Sequence, residues 1–218
     1  MRVFQNLDGG PIIAFREYDI AAATAVKPGQ VVCVTEGLVV PAVAAQTGAI
    51  LGVAAEAHPG VADALNPRAN GTRILVYDNP KTLFRCAAPI MAATGGTATT
   101  VLMTTLAAFS ADDFNGGWLV LVEKAAGSTN TDAVGTVKRI TDYAYNATGT
   151  VSTFTVGAGA TAAAGDKYAI FPPFGFAKGN LDADIAALVL TATAALTMEV
   201  VGREGPDIVL MAKTHALN

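Results

Sequence analysis

The side chains able to do chemistry are few in this chain, and none stands at a spacing that chemistry requires. Its two histidines, His58 and His215, lie far apart, and neither belongs to a His-x-x-x-His or His-x-Glu arrangement. Its two cysteines, Cys33 and Cys86, lack partners at zinc-ligand spacing, so no metal site is predicted. Each cysteine sits in an apolar stretch, Val31-Val32-Cys33-Val34 and Leu83-Phe84-Arg85-Cys86, which predicts two buried free thiols made in a reducing cytoplasm. The alternative, a disulfide between neighbouring strands, needs Cα atoms within about 7 Å. The adjacent acidic pair Asp112-Asp113 has the composition for acid–base work, but its place before Gly116-Gly117 suits a turn cap better. Asp182 and Asp184 read as helix-start or loop residues, because a calcium-binding loop with its terminal Glu is missing. No Gly-x-x-x-x-Gly-Lys-Ser/Thr run is present, and Gly157-Ala158-Gly159-Ala160 lacks the third glycine of a dinucleotide fingerprint. Ser128-Thr129-Asn130-Thr131-Asp132 offers hydroxyls to a sugar and reads more simply as a polar hairpin tip. With no nucleophile, base and orienting group assembled, the sequence predicts no catalytic residue, no cofactor and no enzyme.

Composition points to a different kind of work. Hydrophobic residues make up 52% of the 218 residues and charged residues 15%, against about 25% charged in an ordinary soluble domain. Yet no apolar run approaches the roughly 20 residues a membrane crossing needs. The longest stretches, 118–122 and 185–190, are strand-sized. So few charges leave much surface without a means to stay dispersed, and the expectation is that other subunits cover part of it. Formal charge is −4 with Lys and Arg scattered, so no basic stripe suits a nucleic-acid backbone. The first ten residues lack the apolar core of a secretory signal, which predicts synthesis in the cytoplasm and gives Asn70-Gly71-Thr72 and Asn146-Ala147-Thr148 no weight as glycosylation acceptors.

The texture that must position these residues is β. Residues 1–26 show no sustained period and predict an extended N-terminal arm that acquires order on a neighbour. Strands are expected at 30–35 and 38–41 around the tight turn Glu36-Gly37, and at 50–55. A further hairpin is expected from 72–77 and 82–86 around Asp78-Asn79-Pro80-Lys81. These describe a small β-barrel or sandwich domain over 27–93, completed by 175–218. The Gly-Thr stretch 94–100 marks a seam. Beyond it a second antiparallel β domain, 94–174, is inserted, with strands at 118–122, 135–145, 150–156 and 166–171. Residues 181–196 fit either a short helix or a strand, and 196–201 with 208–213 predict a closing hairpin that returns to the first domain.

Two stretches carry a resemblance. Val26-Lys27-Pro28-Gly29-Gln30-Val31-Val32, with Leu38-Val39-Val40-Pro41 and Gly48-Ala49-Ile50-Leu51-Gly52-Val53-Ala54, resembles small β-rich capsid proteins of tailed phages. Phe114-Asn115-Gly116-Gly117-Trp118-Leu119-Val120 is similar to a module common in phage virion proteins. Its continuation is Gly135-Thr136-Val137-Lys138-Arg139-Ile140-Thr141-Asp142-Tyr143, then Ala164-Gly165-Asp166-Lys167-Tyr168-Ala169-Ile170. Together they cover a little over half the chain; the loop 125–133 is more polar than the Gly-rich turn usual there. The family implied is the head decoration, or cement, proteins. The resemblance implies a homotrimer on the outer surface of the capsid, bound where capsomers of the major capsid protein meet, holding the expanded shell against internal pressure. It implies neither direct nucleic-acid binding nor a membrane.

Contacts with the capsid or a neighbouring subunit are expected from Phe4, Ile12, Ile13, Phe15 and Tyr18 of the arm and from Trp118, which has the character of an interface anchor, although a lone Trp opening an apolar strand more often belongs to the core. Two other classes compete. One is a head fibre or adhesin binding a host glycan through 128–132 with Tyr143 and Tyr145; the other is a tail component built from the same modules.

Overall fold

The computed structural model describes residues 2–6, 15–42, 49–60, 73–104, 106, 109–159, 161–178, 180–181, 188–190 and 198–212. The first strands are β1 (Arg2–Asn6), β2 (Phe15–Asp19), β3 (Ala25–Val26), β4 (Val31–Thr35), β5 (Leu38–Pro41), β6 (Ile50–Ala54), β7 (His58–Pro59), β8 (Arg73–Tyr77) and β9 (Thr82–Ala87). Next come β10 (Ile90–Ala92), β11 (Gly95–Thr97), β12 (Thr100–Met103), β13 (Trp118–Glu123), β14 (Val137–Asn146), β15 (Val151–Val156) and β16 (Lys167–Phe171). The last are β17 (Asn180–Leu181), β18 (Leu188–Val189), β19 (Met198–Glu204) and β20 (Asp207–Ala212). The fold is all-β, with no helix among the described residues.

The chain divides into two compact units. The first comprises Met1–Ala87, Asn180–Leu188 and Ala195–Asn218; the second comprises Ala88–Gly179 and Val189–Ala194. Unit 1 holds a five-stranded antiparallel sheet in the order β2-β8-β6-β4-β5 and a four-stranded one in the order β1-β9-β20-β19. A single bridge from Ile20 to Val39 links the two ends of the five-stranded order. No ladder joins β2 to β5, so the sheet curls without closing into a barrel. Its core buries Val26, Val32, Leu51, Ile74 and Val76, with Tyr18 packed against them. The turn at Glu36-Gly37 has positive φ at both residues, 52° and 81°, joining Thr35 to Leu38 as a type I′ turn does. Gly52 is required by close approach: a Cβ there would lie 1.9 Å from the carbonyl oxygen of Tyr77 on β8.

Two expectations meet a different arrangement. The strands at 73–77 and 82–87 do not pair as a hairpin: β8 lies between β2 and β6, whereas β9 lies between β1 and β20. Asp78-Asn79-Pro80-Lys81 therefore hands the chain from one sheet to another. Within the expected arm three segments pair with strands of their own chain, β1 with β9, β2 with β8 and β3 with β7, since an open strand edge is one that β-forming residues can fill. Ile12 and Ile13 lie outside the described residues, as does most of 181–196, whose described strands are β18 and the end of β17, paired with each other.

Unit 2 is a seven-stranded antiparallel sheet in the order β10-β16-β13-β14-β15-β12-β11. The Gly-Thr stretch 94–100 is itself structural: β11 and β12 form a hairpin through Thr97 and Thr100. Alternation along Val151–Val156 is strict, half-buried then buried, because one face lines the core. That core is aromatic. Phe114 makes edge contacts with Phe109, Tyr143 and Phe154 at centroid distances of 5.0, 4.9 and 5.3 Å, and Phe176 lies 5.2 Å away.

Candidate functional site

The polar residues singled out by sequence are committed to holding the fold. Asp113 accepts the Ser110 N–H at 2.8 Å and takes the Lys178 ammonium at 2.7 and 2.6 Å, so the acidic pair caps a turn. Asp112, at φ 71°, accepts from the Asn115 amide. Cys33 and Cys86 are buried free thiols, and burial pushes the Cys33 thiol pKa up. His58 is buried, with Nδ1 3.0 Å from the Thr24 carbonyl oxygen and 3.3 Å from the Gly60 nitrogen. His215 lies outside the described residues. Among the described residues no three metal-ligating side chains gather, and no helix is long and apolar enough to cross a membrane.

The polar loop 124–136 is pinned from beneath. Buried Asn130 donates through its amide to Asp166 at 2.8 Å and to the Tyr168 hydroxyl at 3.1 Å, while its own oxygen accepts the Asp132 N–H. Asp166 also accepts the N–H groups of Ala125 and Ala163. Burial by itself would raise the Asp166 pKa; hydrogen bonds from Ala125, Asn130, Ser128 and Ala163 outweigh it and hold the carboxylate below its ordinary value. Burial pushes Tyr168 up to about 12, against the lowering effect of its Asn130 bond. Lys138 is buried beside Asp132, with Nζ 2.7 Å from Oδ2. Tyr143 shares a hydrogen bond with Ser152 in the core. Asn130 and Tyr143 are thus turned inward.

One face of the unit 2 sheet offers apolar side chains. In unit 2 the ladders set Ile90 opposite Ala169, Ala169 opposite Val120, and Val120 opposite Val137. Directly paired residues share a face, so these form one row across four strands. Ile90 is 58% exposed and Val137 46%, while the small Ala169 is covered between its larger neighbours. The next row runs Phe171, Trp118, Arg139. Trp118 is 37% exposed, with the Arg139 guanidinium 5.9 Å above its ring. Of these residues only Trp118 stands out as a contact candidate in the sequence, because a single Ile or Val carries no signal until strand register aligns it with others.

The other described contact candidates lie on two strands of unit 1, β1 and β2. Phe4 lies at the bulge where β1 loses register with β9. Phe15 is 51% exposed and meets Tyr77 edge-on at 6.2 Å. Tyr18 donates its hydroxyl to buried Asp78, which the Arg16 guanidinium approaches at 3.4 Å. Burial and that bond push Tyr18 up to about 12. No family model, no curated protein and no solved structure matches this chain.

Proposed function

We propose that this chain is a structural virion protein of the head-decoration kind, which binds the outside of a tailed-phage capsid as a homotrimer and stabilises the expanded shell. One observation carries the reading: an apolar row, exposed at Ile90 and Val137, spans four strands of unit 2 in a chain whose charged share is 15%. Such a face suits a protein that spends its working life against others. In this reading the curled sheet of unit 1 is a barrel-like body and unit 2 an insertion carried by it. Its partners are the major capsid protein and copies of itself, and it takes no cofactor.

The mechanics follow from multiplicity. A shell under outward pressure fails where capsomers part, and each bridging copy adds binding free energy that must be lost before they separate. Many modest contacts sum through avidity. Rigid antiparallel sheets suit this, since a compliant bridge stretches before it resists. Of the expected contact residues whose exposure is described, Trp118 and Phe15 are exposed and Tyr18 is half-buried. The glycan-binding alternative draws on 128–132 and Tyr143, where the Asn130 and Tyr143 side chains make internal hydrogen bonds; no observation favours it.

The test is cosedimentation of the purified chain with emptied, expanded tailed-phage capsids. Saturable binding that raises the temperature of shell rupture is the expected outcome. A chain that ignores such shells and hydrolyses or transfers a small compound sinks the reading.

A further inference from the structure

We infer that copies of this chain associate head to tail, with the β4–β5 hairpin tip of one copy docked on the unit 2 sheet face of the next. The inference rests on the self-association in the proposed function and deepens it by naming both sides of the contact. The acceptor face is the row Ile90, Val120, Val137, with Trp118 and the cation Arg139 beside it. Among the described residues that guanidinium has an aromatic neighbour and no carboxylate within ion-pair distance. Lys167, farther along the same sheet, is already paired with Glu123.

The matching surface must be apolar with one unpaired carboxylate. The β4–β5 tip fits. Val34 and Leu38 are 38% and 39% exposed on either side of Glu36, which is exposed at the apex and has no cation within ion-pair distance among the described residues. Val34 pairs with Val39 and Leu38 with Thr35, so the two apolar side chains stand on opposite faces of the ribbon. The type I′ turn fixes Glu36 there, so little order is lost on docking. Another acidic tip, at Glu204 and Asp207 between β19 and β20, has no exposed large apolar residue beside it among the described residues.

A contact between two different surfaces of the same chain is heterologous, and it closes into a ring when the rotation per step permits. A hairpin tip on a sheet face is small, at the low end of specific interfaces, below about 1,200 Å² in total. Association is therefore expected to be weak for an isolated pair and stronger in a closed ring.

Charge reversal tests it without touching either core, since Glu36 and Arg139 are both exposed. Sedimentation velocity is run on wild type, Glu36→Arg, Arg139→Glu and the double variant, at about 100 μM, a concentration suited to weak pairs. The wild type should form oligomers, each single reversal should weaken association by about tenfold or more, and the double variant should recover it. Oligomers that persist in both single variants, a double variant that stays dissociated, or a monomeric wild type would each overturn the inference. Capsid cosedimentation of the same proteins separates the two ideas. A monomer that still decorates shells removes the head-to-tail contact and leaves the decoration reading; a charge-rescued oligomer that ignores shells does the reverse.

Discussion

Asp78 is buried, accepts the Tyr18 hydroxyl through one oxygen, and has no hydrogen-bond partner on the other among the described residues. Tyr18→Phe removes that donor and leaves a buried carboxylate still less satisfied. It should cost about 1–3 kcal/mol, read as a lower urea midpoint at unchanged slope. Tyr18 and Tyr168 have folded pKa values pushed up to about 12, above the roughly 10 of an unfolded chain. Their contribution to stability is therefore complete below about pH 10 and is lost as pH rises towards 12. Phenolate absorbance followed together with circular dichroism should show ionisation and unfolding coinciding in that window. Asp166 has the opposite sign. Its folded pKa is depressed, so its contribution is present above about pH 4 and is lost as pH falls through the folded value. Asp166→Ala strips the acceptor from two backbone N–H groups and Asn130; a loss of about 3 kcal/mol is expected, with new protease cleavage in 124–136. None of this is legible in the sequence. Asp166 reads there only as part of an Ala-Gly-Asp-x-Tyr pattern, and Asn130 as part of a polar tip, because hydrogen bonds across 36 residues leave no local trace.

At the scale of elements, local pattern locates strands better than it pairs them. The stretches 30–35, 38–41, 118–122 and 150–156 coincide closely with β4, β5, β13 and β15, since period-2 burial and the Glu36-Gly37 turn are local properties. The separation of β8 from β9 escapes it, because a polar four-residue connection suits a hairpin and a passage between sheets equally. Only the competition for edges by β1, β2, β6 and β20 decides it. Gly52 shows how tightly those edges meet. Gly52→Ala sets a methyl 1.9 Å from the Tyr77 carbonyl and should part β6 from β8. The expected loss is about 3 kcal/mol or more, measured by thermal unfolding. Gly37→Ala serves as a comparison that meets no neighbouring atom and strains only the turn.

For the molecule as a whole, the weak charge and the apolar row on unit 2 belong together. If copies associate, the folded state gains binding free energy that the unfolded chain lacks, and its Tm should climb with protein concentration. Wild type measured from about 1 to 100 μM should show that climb, and Arg139→Glu should flatten it. A Tm independent of concentration in both proteins would speak against self-association altogether.

The amino-acid order alone determined the β class, the position of most strands, the turn at Glu36-Gly37 and the absence of any motif with catalytic spacing, because each is written in neighbouring residues. Tertiary structure decided which strands are partners, which polar side chains turn inward, and that Ile90, Val120 and Val137 line up beside Trp118. Register between distant strands creates that surface, and register is settled by the energy of the whole sheet rather than by any one segment.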